Sequence, residues 1–262
     1  MAAFLTPDNT ITVGGVTVKY YPINQHSKIS MPPKREKSII GVTIHNTDTI
    51  NAASGTTMAE QYTRATVNGN MGTVRVHYYV DSVEAWQNLP HTMAAWHAAD
   101  GNGDGNMRTI AIECIMSKNY TAADRKAEDN AARIAADILR THGLTIDNLY
   151  THTYWLNVRD GKKGTVDQLN VMKHPYKMCP AYILPHWAAF KAAVAGYMRQ
   201  DTPQDTAQDD ARELPYIPGM SASDAHVYLN WIANKGAGNY PDTEEGFTRF
   251  LEDDYSGRFK MV

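Results

Sequence analysis

Two short apolar runs constrain this chain more than anything else in it: Ser38-Ile39-Ile40-Gly41-Val42-Thr43-Ile44 and Ile110-Ala111-Ile112-Glu113-Cys114-Ile115. Both are rich in β-branched residues, which suit a pleated surface, and both are apolar enough to read as buried strands. Helical signals lie between and after them. Thr57-Met58-Ala59-Glu60 has capping-box spacing and opens a short helix. Thr121 caps a long one with Asp124 three residues on; Ala127, Ala131, Ile134 and Ile138 form its buried stripe, and Gly143 closes it. A last helix over residues 181–198 carries Trp187, Phe190, Val194 and Tyr197 on one face.

Further strands are expected at 74–80, at 85–89 and at 146–150, the last leading directly to His152. Near the start, Ile11-Thr12-Val13 and Val16-Thr17-Val18 flank Gly14-Gly15, a two-residue hairpin signal. Strands alternating with helices predict an α/β body with one central, mostly mixed sheet flanked by helices. The expected organisation is an N-terminal extension with a hairpin (1–37), a catalytic body (38–198), a polar linker (199–215) and a small helical C-terminal module (216–262). That module offers Val227, Trp231, Phe247, Phe250 and Leu251 as its core.

Hydrophobic residues make up 43% and charged residues 20% of the 262, ordinary values for a globular protein. No run approaches the ~18–20 apolar residues that span a bilayer, so no membrane anchoring is expected. Residues 1–8 lack the basic and apolar segments of a secretory signal. From Gln200 onward 12 acidic residues face 5 basic ones, while the rest of the chain carries 16 acidic and 20 basic. A mildly basic body suits an anionic polymer, although ordinary surface variation reads the same way. The two cysteines, Cys114 and Cys179, are too few for a disulfide framework and read as thiols.

Hydrolytic metal sites need ligands on rigid elements with one position left open for water. His45 and His152 each follow a predicted strand, and Cys179 precedes a predicted helix. Two imidazoles and a thiolate make an open zinc set. In a chain with ten histidines, each one taken singly reads as readily as a hydrogen-bonded or surface residue. Glu113 stands out on its own, because a carboxylate inside an apolar strand is costly without a partner. The plainer reading is a strand-end acid paired with an Arg or Lys.

Six motifs follow one another: Ile44-His45-Asn46-Thr47, His77-Tyr78-Tyr79-Val80-Asp81, Ala95-Trp96-His97-Ala98, Ile110-Ala111-Ile112-Glu113, His152-Thr153-Tyr154-Trp155 and Lys177-Met178-Cys179-Pro180. Over residues 38–195 this order resembles the type-2 N-acetylmuramoyl-L-alanine amidases, most of all their phage-endolysin and autolysin branch. That family shares its fold with the peptidoglycan-recognition proteins. The resemblance implies zinc held by His45, His152 and Cys179, with Glu113 handling the proton of the attacking water and Lys177 beside the developing oxyanion. It implies that His77, Trp96 and His97 line the substrate groove, or that the two histidines buttress a ligand. The implied reaction is zinc-dependent hydrolysis of the amide between N-acetylmuramic acid and L-alanine, with peptidoglycan as partner and no nucleic acid.

Two departures from the family pattern stand out. Val76 occupies the place where some relatives have a tyrosine. The stretch from His152 to Cys179 is far longer than in compact relatives, and its insertion, residues 157–176, reads as a surface excursion. The insertion brings His174 as a rival third ligand, which the Lys-x-Cys-Pro match disfavours. The expected protein is a cell-wall lytic amidase, made in a host cytoplasm without a signal peptide and acting on the wall after release. A non-catalytic peptidoglycan receptor on the same fold and a cytosolic muropeptide-recycling amidase are the alternatives.

Overall fold

The Gly14-Gly15 turn forms with both glycines at positive φ, +55° and +78°, the left-handed pair that a two-residue hairpin turn requires. It joins strands β1 (Asn9–Val13) and β2 (Val16–Tyr20). The computed structural model describes residues 4–200. The other strands are β3 (Gly41–Asp48), β4 (Tyr78–Val80), β5 (Ala85–Gln87), β6 (Thr109–Met116) and β7 (Leu149–Thr151). The helices are α1 (Ile23–His26), α2 (Met58–Val67), α3 (Asp104–Arg108), α4 (Ala122–Thr141), α5 (His152–Arg159), α6 (Val166–Val171) and α7 (Trp187–Gln200).

The strands form a seven-stranded mixed sheet in the order β1-β2-β5-β4-β6-β3-β7. The expected α/β class and central mixed sheet are therefore present. The hairpin is no appendage: β2 pairs in parallel with β5, so β1 and β2 extend the sheet itself. At its centre β3 and β6 run parallel over eight paired positions, from Gly41↔Thr109 to Asp48↔Met116.

Alternation along these strands assigns the two faces. Val42 and Ile44 of β3, with Ile110, Ile112, Cys114 and Met116 of β6, pack beneath α4 and α7. Each fully buried aliphatic side chain there contributes roughly 1.5–3 kcal/mol. Cys114 is thus a core residue on the face opposite Glu113. On the other face Ala111 and Ile115 pack with Val76, Tyr79, Trp86 and Ala59 of α2. Helix α4 starts at a complete Thr121/Asp124 capping box. It ends where Gly143 takes φ +63° and Leu144 N–H bonds back to the Leu139 carbonyl at 2.8 Å, closing the last turn.

Several boundaries differ from the sequence reading. β3 does not end at His45 but continues to Asp48, because pairing with β6 persists that far. Residues 146–148 form a single 3-10 turn, leaving three residues for β7, and His152 is the first residue of α5. α7 runs on through Arg199 and Gln200. The remainder of the expected linker and the module expected at 216–262 lie outside the described residues. Among the described residues, no helix is long and apolar enough to cross a membrane.

Candidate metal centre

The parallel register sets His45 directly beside Glu113. Both side chains leave the sheet on the face away from α4, at its open end. Glu113 Oε1 lies 3.9 Å from His45 Nδ1, and the carboxylate is 14% exposed. Its other oxygen, Oε2, is buried without a hydrogen-bond partner. Burial pushes the Glu113 carboxyl up to about 7, and the Lys177 ammonium partly offsets this.

β7 pairs with β3 up to Ile44↔Thr151, so His152, the next residue, stands beside His45 with ring centroids 4.8 Å apart. Cys179 arrives from 27 positions further along the chain through a clamp on Thr153. The Thr153 hydroxyl accepts from Cys179 N–H at 2.8 Å and donates to the Cys179 carbonyl at 3.1 Å, while Thr153 N–H bonds the same carbonyl at 3.0 Å. Cys179 Sγ consequently sits 3.8 Å from His45 Nδ1. One donor atom each from His45, His152 and Cys179 lies within 4.8 Å of the others, and all three residues are buried.

This donor set fits zinc. Both ring nitrogens of His152 are buried without a well-aligned hydrogen bond, although the Ala98 carbonyl lies near the ring; such under-satisfied nitrogens in a protein interior call for a ligand. Burial pushes His152 down to about 3 and drives His45 well below the ordinary imidazole range, His152 and His97 adding to the latter. Both imidazoles are therefore neutral and able to donate a lone pair. Burial, helped by Glu113, holds the Cys179 thiol up at about 12; a bound cation is what would release its proton. Two imidazoles, one thiolate and an open fourth side make a catalytic rather than a closed structural set.

A groove of about 290 Å³ opens beside the cluster, lined by Asn46, Thr47, Asp48, Lys177, Met178, Cys179, Ala181 and Tyr182. Lys177 is exposed on its wall. The structure brings the other expected site residues elsewhere. His97 is 7% exposed and lies behind His45, its Nδ1 2.9 Å from His45 Nε2. His77 is fully buried. Its Nδ1 accepts from Ala111 N–H at 3.0 Å, which leaves the proton on Nε2 to reach the Met93 carbonyl at 3.1 Å. It is a cross-tie inside the fold and does not reach the groove. Trp96 is half-buried, with its backbone paired to Arg75; it too is absent from the groove lining.

His174 is engaged away from the cluster. Its Nε2 meets Asp160 at 2.8 Å and its Nδ1 accepts from Tyr176 N–H at 3.2 Å. Val76 is wholly buried in the core. The insertion is more than a surface excursion, because α6 buries Asn170 against β7. That side chain accepts from Thr151 N–H at 2.8 Å and donates to the Leu149 carbonyl at 3.2 Å. The structural roles of Asn170, Thr153 and Asn46 escaped the sequence reading; only their type, short polar side chains able to bond backbone groups, hinted at such cross-links.

The sequence profile of the N-acetylmuramoyl-L-alanine amidase family matches residues 35–180. Among curated proteins, the N-acetylmuramoyl-L-alanine amidase XlyA of Bacillus subtilis (strain 168) is 32% identical over 155 residues, covering 59% of this chain and 44% of the relative. The amidase CwlA of Bacillus sp is 40% identical over 86 residues, 32% of this chain and 34% of that protein. The chain thus spans under half the length of the curated relatives it matches. Among solved structures, the catalytic domain of XlyA is similar at 27% identity with a TM-score of 0.51, over 68% of this chain and 98% of that one. A mutant endolysin from Bacillus subtilis gives 28%, 0.51, 68% and 99%. With more than half of its length matched by the family profile, the chain belongs to the type-2 N-acetylmuramoyl-L-alanine amidase family.

Proposed function

We propose that this chain is a zinc-dependent amidase that hydrolyses the bond between N-acetylmuramic acid and L-alanine in peptidoglycan, acting as a bacteriolytic enzyme of the endolysin kind. The observation that carries the reading is the Glu113 carboxylate, half-buried at the edge of the His45, His152 and Cys179 cluster with one oxygen buried and unpartnered. A purely structural metal site has no use for a free carboxylate at its open side.

Zinc held by His45, His152 and Cys179 would lower the pKa of water towards ~7 and polarise the scissile carbonyl. Glu113 then takes the proton of the attacking water as the new C–O bond forms. It returns that proton to the nitrogen of L-alanine as the C–N bond breaks, giving a muramic carboxylic acid and a free peptide amine, which at neutral pH end as carboxylate and ammonium. The Lys177 ammonium, on the groove wall, stabilises negative charge building on the carbonyl oxygen; such a donor is typically worth ~3–4 kcal/mol of barrier. A non-catalytic peptidoglycan receptor would need the groove but not Glu113. Production in a host cytoplasm, with action on the wall after release, accompanies the endolysin reading.

The test is release from purified cell walls by the full chain, with and without zinc. Zinc-dependent appearance of L-alanine amino groups without new reducing sugar ends supports the reading. Reducing ends would make the protein a glycosidase, and binding without release would make it a receptor.

A further inference from the structure

Thr109 and Thr43 are wholly buried and Trp155 nearly so. None has a part in the chemistry above, yet their protons can be arranged in only one way. The indole N–H of Trp155 can only donate, and it lies 2.8 Å from Thr43 Oγ1. The Thr109 hydroxyl has a single proton, and the Gly105 carbonyl, a pure acceptor, takes it at 2.6 Å. The Thr43 hydroxyl, 2.7 Å from Thr109 Oγ1, is therefore the donor in that pair.

Lone-pair density of Thr109 Oγ1 faces His97 Nε2, 3.5 Å away, and the Gly105 carbonyl that Thr109 holds lies against the same ring. Oγ1 and Nε2 meet favourably only if Nε2 carries hydrogen. A neutral imidazole has one N–H, so His97 Nδ1 is bare and accepts from His45 Nε2 at 2.9 Å. His45 then has its hydrogen on Nε2 and a bare Nδ1, the atom that faces Cys179 Sγ at 3.8 Å and Glu113 Oε1 at 3.9 Å. The backbone that carries the His97 ring is anchored, because Asn106 Oδ1 accepts from the main-chain N–H of both His97 and Ala98, at 2.7 and 2.8 Å.

We infer that Thr109, backed by Thr43 and Trp155 and acting with the Gly105 carbonyl it holds, is a positioning residue that sets, through His97, the tautomer in which His45 offers Nδ1 to the metal. The inference rests on the zinc-site reading above but not on hydrolysis. Groups that orient a ligating histidine typically contribute 10–100-fold in metal affinity.

The experiment uses the full chain labelled with nitrogen-15. Long-range proton–nitrogen correlation spectra report which nitrogen of His45 and of His97 bears hydrogen, without zinc and with it; chelator competition gives the zinc affinity. Wild-type protein should show hydrogen on Nε2 of both rings. Thr109→Val should lose that preference at His97 and bind zinc about 10–100-fold more weakly, while Thr109→Ser should restore both. Hydrogen on Nδ1 of wild-type His97, or a folded Thr109→Val with undiminished zinc affinity, overturns the inference. If Thr109→Val does not fold, the wild-type tautomers and Thr109→Ser decide. All readouts are taken without substrate. Correct tautomers with zinc bound but no release of L-alanine amino groups would sink the hydrolysis reading alone; an active enzyme with the opposite His97 tautomer would sink this one alone.

Discussion

His45 and Glu113 are register partners on adjacent parallel strands, with imidazole and carboxylate 3.9 Å apart. The proposed metal ligand and the proposed base are thus fixed to each other by backbone pairing, not by a loop.

Separable roles follow for the two residues. Glu113→Gln keeps the shape but cannot accept a proton. Zinc content should be unchanged while turnover on cell walls falls about 10²–10⁴-fold. Metal analysis beside a rate measurement checks this; a near-normal rate would remove Glu113 from proton transfer.

For Cys179, metal and activity should disappear together. Cys179→Ala leaves two imidazoles and no anionic ligand, so zinc should be lost on dialysis. His174→Ala serves as the contrast. His174 is bonded to Asp160 and lies outside the cluster, so that variant should retain zinc and activity.

The brace supplied by the insertion is open to calorimetry. Asn170→Ala strips partners from the buried Thr151 N–H and Leu149 carbonyl. Two unsatisfied backbone groups cost about 2–4 kcal/mol, so the melting temperature should drop by about 5–15 °C. An unchanged transition would show that α6 does not support β7.

Acid should weaken the fold in a defined window. His91 is held down to about 4, by burial first and then by His142 and Arg35. Unfolded chains protonate this group near pH 6.5, whereas the folded protein resists until about pH 4. Its contribution is therefore complete above pH 6.5 and declines as the pH falls from 6.5 to 4. Urea midpoints measured across that range should fall, and His91→Gln should flatten the slope. A wild-type midpoint constant from pH 7 to 4.5 would refute the assignment.

What the sequence disclosed follows from what a sequence encodes locally. The β-branched runs, the Thr121/Asp124 box and the Gly14-Gly15 turn are short-range signals, and each became the expected element. The expected ligand set of His45, His152 and Cys179 came from motif order, and the structure brings those residues together. Register between parallel strands leaves no such trace, so the facing of His45 and Glu113 was invisible beforehand. His77 shows the same limit from the other side. Its motif neighbours say that it borders a strand, but only the fold shows its ring spent on the Ala111 and Met93 backbone. The Thr153 clamp and the Asn170 brace join residues 26 and 19 positions apart, beyond the reach of any periodicity.

One amide on β3 has a consequence for recognition. Asn46 Nδ2 donates to the Cys114 carbonyl at 3.1 Å, and its Oδ1 accepts from Tyr182 N–H at 2.9 Å and Ile183 N–H at 3.3 Å. Tyr182 in turn donates its hydroxyl to Asp48 at 2.6 Å. The groove wall is thereby riveted to the strand that forms its floor. A ligand entering it meets a pre-ordered wall, and the entropy of ordering that wall is spent when the chain folds, not each time a ligand binds.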